Sequence, residues 1–277
     1  MTIDEIIKQA LYEDIREGDH TSLATISGQS RGKAQLVVKQ NGIIAGIEIA
    51  KRVFDAVDNG LKFIQKIEDG SKVNVGDIVF EVEGLSISIL SAERLALNFM
   101  QRMSGIATTT SIYAEKLKGL STRLLDTRKT TPLLRELEKR AVKLGGGENH
   151  RMGLYDMIMI KDNHVDFAGG IEKAIDACKA YLLKNNLNLR IEIEVRNMEE
   201  LNRVLIKGGI HRIMLDNFSV ESMREAVQLI NGRYETEASG GITLETIRSY
   251  AETGVDFVSV GALTHQIMSL DLSLKAV

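Results

Sequence analysis

Six apolar runs in the second half of this chain end in residues that can do chemistry. They are "RLLDTRKT", "MIMIKDNH", "LRIEIEV", "RIMLDN", "YETEASGGI" and "DFVSVGAL". Asp126, Arg128 and Lys129 end the first, Lys161 the second, Glu194 the third and Asp216 the fourth, while Ser239-Gly240-Gly241 and Gly261 end the last two. Between the first two runs lies "GGGENHR", which adds His150 and Arg151. Arginine offers a planar fork and lysine a mobile point charge, both suited to carboxylates and phosphates. Glycine ends supply backbone N–H groups that can approach a phosphate closely. Two carboxylates facing a polyphosphate would repel it unless a divalent cation lay between, so Glu194 and Asp216 suggest a Mg²⁺-dependent phosphate substrate.

Each residue also has a plainer reading. An Arg-Lys pair after one strand is usually a solvated loop, and His164 in "KDNH" fits a structural, hydrogen-bonding histidine. Glu192 and Glu194 share one strand face, so one of them could simply pair with Lys161 or Arg128. The joint occurrence of such groups at successive strand ends favours the functional reading.

The elements that must position these groups follow from hydrophobic periodicity. "NMEELNRVLIKGG" has Asn197 as N-cap, Glu200 three residues on, and Met198, Leu201, Val204 and Leu205 on one face. "SVESMREAVQLING" repeats the pattern with Val220, Met223, Val227 and Ile230. Strand and helix alternating at about 20 to 30 residues predict βα units and a parallel sheet. No G-x-G-x-x-G follows the first strand, which argues against a dinucleotide-binding open sheet. In a βα barrel, by contrast, functional groups come from the carboxyl ends of several strands, with phosphate held by glycine loops after the last ones. Six runs are fewer than eight, so the barrel is expected to be incomplete or open.

The first third mixes helix and strand. "MTIDEIIKQALYEDIREGD" predicts an amphipathic helix with Ile3, Ile6, Ile7, Ala10 and Leu11 on one face, unlike a signal or transit peptide. Asn41-Gly42 between two apolar runs predicts a hairpin, and "SKVNVGDIVFEVEG" a strand pair. A long helical stretch follows from Ser86, with Gly105 a plausible break. Charged residues make up 26% of the 277 and the net charge is −3, so nothing pulls the chain as a whole toward nucleic acid or a membrane. The single cysteine, Cys178, excludes an intrachain disulfide and a cysteine zinc site. With no apolar run near ~20 residues, a cytoplasmic enzyme is expected.

Longer blocks carry a resemblance. "EDIREGDHTS", "AERLALNFMQRMSGIAT", "LLDTRKTTP", "EKRAVKLGGGENHRMGLYDMIMIKDNH", "EVRNMEEL", "IMLDN" and "EASGGITLETIRSYAETGVDFVSVGALTH" resemble the nicotinate-nucleotide pyrophosphorylase, or quinolinate phosphoribosyltransferase (decarboxylating), family over nearly the whole chain. The resemblance implies an α/β fold of the type II phosphoribosyltransferase kind. An N-terminal α/β sandwich domain, 1–106, would be completed by a C-terminal tail, 267–277, and an incomplete α/β barrel of about six strands would occupy 107–266. It implies a homodimer with shared active sites, and allows a hexamer built from three dimers. The implied reaction is quinolinate plus phosphoribosyl pyrophosphate giving nicotinate mononucleotide, pyrophosphate and carbon dioxide, in de novo NAD synthesis, with Mg²⁺ and no organic cofactor.

Residue by residue, the match makes Arg128, His150, Arg151 and Lys161 a cationic pocket for the dicarboxylate, joined by Arg94 from the neighbouring subunit. Lys129 would meet phosphoribosyl pyrophosphate, and Thr127 is a further implied substrate-binding residue. Glu194 and Asp216 would surround the ribose hydroxyls and the Mg²⁺, and Arg128, Lys129, Lys161, Glu194 and Asp216 form the implied catalytic set. Ala238, Ser239 and Gly240, and Ser259, Val260 and Gly261, match two phosphate-binding loops. Three positions depart from the usual family pattern: Leu133 stands for glycine, Arg140 for tyrosine and Gln266 for serine.

Three rivals stay open at this level. A lysine ending a barrel strand could form the Schiff base of a class I aldolase. A related pyrophosphorylase-like barrel is associated with molybdate transport, and a non-catalytic metabolite-binding barrel would need fewer of these groups.

Overall fold

The computed structural model describes residues 1–277. Its strands, in chain order, are β1 (Arg31–Val38), β2 (Gly42–Ile43), β3 (Lys62–Gln65), β4 (Lys72–Val73), β5 (Ile78–Leu85), β6 (Arg123–Leu125), β7 (Ile158–Ile160), β8 (Ile191–Val195), β9 (Arg212–Asp216), β10 (Glu235–Ser239), β11 (Phe257–Ser259) and β12 (Leu272–Ala276). The chain folds into two compact units, one of residues 1–111, 130–146 and 263–277, the other of 112–129 and 147–262. No helix is long and apolar enough to cross a membrane.

In the first unit an antiparallel sheet runs β12-β1-β5-β3. Leu36 and Val38 of β1 are fully buried, as are Val79 and Val82 of β5. Phe80 of β5 meets Phe63 of β3 at 4.4 Å and Phe54 at 5.9 Å between ring centroids. Phe54 lies on the helix Ile47–Val57, whose Ile47, Ala50 and Val53 share its buried stripe. The N-terminal helix Ile3–Ile15 buries Ile3, Ile6 and Ile7, and Thr2 and Glu5 close a reciprocal capping box at its start.

Three local expectations fail in this unit. Asn41-Gly42 makes no hairpin: β1 pairs with β5 and β12, and β2 turns away to pair with β4. For the same reason "SKVNVGDIVFEVEG" is not a self-paired ribbon, since β4 and β5 bond different partners. Gly105 does not break the helix Ser86–Lys116. A Cβ there would fall 2.2 Å from the Met268 carbonyl oxygen, so glycine is present for close backbone approach.

The expected boundary at 106/107 falls inside that same helix. Residues 130–146 also belong to the first unit, where Glu138 accepts two bonds from Arg102, at 2.9 and 2.6 Å.

The second unit is a six-stranded, all-parallel sheet in the order β6-β11-β10-β9-β8-β7. The first strand has moved beside the last, leaving the opening between β6 and β7. This is the incomplete barrel expected. A single parallel bridge from Leu125 to Glu148 extends β6 toward that opening. Period-2 alternation sorts the strands. Ile191, Ile193, Val195, Ile213 and Leu215 form one buried apolar set, facing the helices Ile171–Lys184, Met198–Lys207 and Val220–Ile230. The alternate set is mostly polar: Glu192, Glu194, Arg212, Asp216, Glu237, Ser239 and Ser259, with Met214 and Phe257 among them. Asn197 and Ser219 cap two of the helices through bonds to Glu200 N–H and Ser222 N–H.

Candidate active site

The polar face of the second unit is built in layers. Farthest from the strand ends is Arg212, stacked 3.9 Å over the Phe257 ring and donating to Glu235 at 3.0 Å and Glu237 at 2.9 Å. Above it, Glu192 and Glu237, both fully buried, flank the His150 ring: Nε2 is 3.0 Å from Glu192 and 3.4 Å from Glu237. These three groups have the donor set of a metal site. Arg212 and His150 already compensate the carboxylates, and Arg151 and Arg128 lie nearby, so a cation would be repelled here.

Burial alone would lower His150, yet the two carboxylates overcome it and push the group up to about 9. Burial, then Glu237, pushes Glu192 up to about 7, whereas His150 and Arg212 hold Glu237 below the usual carboxylate range against burial. The Arg151 N–H donates to His150 Nδ1 at 2.7 Å, so that nitrogen is an acceptor and the ring's own proton lies on Nε2. The additional proton that the cluster retains therefore rests on Glu192, the carboxylate not bonded by Arg212.

Asp126, fully buried at the end of β6, fixes the neighbouring loop by accepting from His150 N–H at 2.8 Å and Asn149 Nδ2 at 2.6 Å. Arg151 is then placed by its backbone bond to His150 and by Nη1 donating to the Met157 carbonyl at 3.2 Å. Burial, and next the proximity of Arg128, depress Arg151 below its ordinary value. Two guanidiniums brought together in a half-buried place make a site for a strong anion.

At the strand ends, Lys161 Nζ lies 3.2 Å from Glu194 Oε2. Burial raises Glu194; Lys161 opposes that, and Asp216, on the next strand, adds to it. Lys161 is exposed and faces a carboxylate, not the apolar pocket that Schiff-base lysines use, which counts against the aldolase reading. Asn217, in the left-handed region at φ 57°, bonds Asp216 through its amide at 2.6 Å. Gly240 and Gly241 follow β10 at φ 94° and 58°, and Lys129 N–H is held by Thr127 Oγ1 at 3.1 Å.

Two family models match the chain: "Quinolinate phosphoribosyl transferase, N-terminal domain" over residues 19–104 and "Quinolinate phosphoribosyl transferase, C-terminal domain" over 106–275. The chain belongs to the quinolinate phosphoribosyltransferase family. It is 47% identical to quinolinate phosphoribosyltransferase [decarboxylating] 1b of Nicotiana tabacum, across 98% of this chain and 81% of that protein. It is 41% identical to a probable nicotinate-nucleotide pyrophosphorylase [carboxylating] of Bacillus subtilis, across 99% and 93%. The crystal structure of NadC from Streptococcus pyogenes superposes with a TM-score of 0.94 at 40% identity, covering 99% of this chain and 95% of that one.

Within this family framework, the second unit contains Thr127, Arg128, Lys129, His150, Arg151, Lys161, Glu194, Asp216, Ser239, Gly240, Ser259 and Gly261 on or beyond its polar face. Three expected residues have less to offer. The His150 nitrogens are both engaged by protein. Ala238 alternates to the other strand face, and its carbonyl accepts from the Ser259 hydroxyl at 3.5 Å. Val260 is buried, with its N–H bonded to the Leu125 carbonyl at 3.0 Å. Arg94 belongs to the first unit, exposed on the helix Ser86–Lys116. His164 is structural: its Nδ1 accepts the Lys161 N–H at 2.9 Å. The sequence reading named Asp126 at a strand end and Glu192 as a possible ion-pair partner but missed Glu237, Arg212 and Asn217 as supports; alternating charges in "IEIEV" and "ETEAS" were the available signal.

Proposed function

We propose that this chain transfers the phosphoribosyl group of phosphoribosyl pyrophosphate to the ring nitrogen of quinolinate, giving nicotinate mononucleotide, pyrophosphate and carbon dioxide. The proximity of Arg128 to Arg151 carries this reading, because two neighbouring guanidiniums match two adjacent carboxylates. Lys161 adds a third cation from the next strand end. Arg94 of a second copy is proposed to serve the same pocket, which makes the working form a homodimer.

The ring nitrogen attacks the anomeric carbon of the ribose as the bond to pyrophosphate breaks, its electron pair leaving with the pyrophosphate. This chain supplies no nucleophile; its contribution is to position and to stabilise charge. Arg128 and Arg151 hold the dicarboxylate with its nitrogen toward the ribose. Glu194 and Asp216 accept from the ribose hydroxyls, and Lys129 and the Gly240 and Gly261 loops hold phosphate oxygens. As carbon dioxide departs, its bonding electron pair stays on the adjacent ring carbon, where the positive charge of the quaternary nitrogen stabilises it until that carbon is protonated by water.

Glu194 and Asp216 are hard oxygen donors on adjacent strands, near enough for the Asp216 charge to raise Glu194, which fits a Mg²⁺ that also binds substrate phosphates. When bound, that ion would neutralise charge on the departing pyrophosphate.

Incubating the protein with phosphoribosyl pyrophosphate, Mg²⁺ and either quinolinate or nicotinate tests the reading. Mononucleotide and carbon dioxide from quinolinate alone are expected, with turnover lost in Arg128→Ala and Arg151→Ala variants that remain folded. No product from a folded wild-type sample would overturn it in favour of a binding role.

A further inference from the structure

We propose that Glu192, backed by Glu237 and Arg212, is a positioning residue for the dicarboxylate pocket that acts through the His150 ring on the backbone of Arg151. The inference rests on the reading of Arg151 as a carboxylate-binding group. Its basis is a continuous chain of contacts across four elements. Arg212 of β9 donates to Glu237 of β10 at 2.9 Å, and Glu237 and Glu192 of β8 stand 3.4 and 3.0 Å from His150 Nε2. The opposite nitrogen of that ring accepts the Arg151 N–H at 2.7 Å. An imidazole gripped at both nitrogens transmits orientation, because turning the ring at one end breaks the bond at the other.

The carboxylates serve no obvious end otherwise. Fully buried acidic side chains are uncommon and costly. Neither Glu192 oxygen has a well-aligned hydrogen-bond donor, so its 3.0 Å contact with Nε2 is one of close packing rather than a locally optimised bond. A group placed at such expense beneath two arginines suits a role in their placement. Asp126 holds the other side of the same loop through His150 N–H at 2.8 Å, leaving the ring as the element that Glu192 controls.

The test is calorimetric titration of the full-length protein with quinolinate and, separately, with phosphoribosyl pyrophosphate and Mg²⁺. Glu192→Ala should weaken quinolinate at least tenfold and change phosphoribosyl pyrophosphate less than twofold. Glu192→Gln, which retains an acceptor toward Nε2, should recover most of the loss. In an Arg151→Ala background, Glu192→Ala should add less than twofold, because its effect passes through Arg151. Where the alanine variant does not fold, Glu192→Ser, with room for a water, takes its place. Equal weakening of both ligands, or an undiminished effect in the Arg151→Ala background, would show a general structural role and overturn the proposal. Tight wild-type binding with no change in Glu192→Ala overturns it alone, whereas no wild-type binding of quinolinate overturns the function proposed above as well.

Discussion

Gly240 and Asn217 stand so close that a Cβ on the glycine would fall 2.2 Å from Asn217 Oδ1 and 2.8 Å from its backbone nitrogen. Asn217 in turn bonds Asp216 at 2.6 Å, so the glycine loop after β10 and the carboxylate at the end of β9 are fixed by one contact. Gly240 also sits at φ 94°, a conformation that alanine resists. Gly240→Ala is expected to destabilise the protein by about 1–3 kcal/mol and to weaken phosphoribosyl pyrophosphate at least tenfold. Quinolinate affinity should change less than threefold, because Arg128 and Arg151 lie on other elements. Titrations with each ligand separate the two effects, and a parallel loss of both would count against this division of labour.

The buried cluster makes stability pH-dependent with a definite sign. His150 is raised from 6.5 to about 9 and Glu192 from 4.5 to about 7. A group whose folded pKa exceeds its unfolded value holds its proton longer in the native state, so native stability falls as pH rises through that interval. The cluster of His150, Glu192 and Glu237 titrates as a unit, so the stability its retained proton contributes is whole at acid pH and is lost as pH rises toward about 9. Urea midpoints should therefore decline steadily from pH 6 to 9, and Glu192→Gln should flatten the slope. A midpoint that rises over this range in the wild type would mean that no additional proton is held.

How the sequence disclosed this site, and where it did not, follows from what each residue needs. Strand ends were legible because a run of apolar residues that stops at Lys161 or Asp216 marks both the strand and the rim. The helix caps Asn197 and Ser219 were legible for the same local reason. Partnership across strands was not, since it depends on register. Glu192 lies beside Arg212, and Glu237 beside Met214, only once β8, β9 and β10 are aligned. The Asn41-Gly42 signal misled because it ignores which strand is available as a partner. Gly105 misled because the carbonyl it admits, that of Met268, lies 163 residues away in sequence.

Leu133 occupies the left-handed region at φ 68° and is 64% exposed. A left-handed leucine is strained by about 1–2 kcal/mol. Glycine removes that strain but adds about 0.5–1 kcal/mol of unfolded-state entropy. Leu133→Gly is thus expected to stabilise the protein by about 0.5–1 kcal/mol, read as a higher urea midpoint with an unchanged slope. A lowered midpoint would show that the exposed side chain contributes more than its backbone costs.

Gly105→Ala tests the opposite case, a glycine required by a neighbour rather than by its own dihedrals. In an isolated helix, alanine would be favoured by about 0.8–1.0 kcal/mol. Here the added methyl would lie 2.2 Å from the Met268 carbonyl oxygen and 3.1 Å from the Ser269 Cα, so the tail must move away from the helix. That movement strains the Leu270 N–H bond to the Gln101 carbonyl, 2.9 Å, and the pairing of β12 with β1 that follows it. Gly105→Ala should therefore lower stability by about 2–4 kcal/mol despite the better helix former, with overpacking outweighing propensity. Hydrogen exchange should quicken first at Leu272 to Ala276, because the tail is the part that can yield. A variant as stable as the wild type, with β12 still protected, would show that the helix and tail can separate by an ångström at little cost.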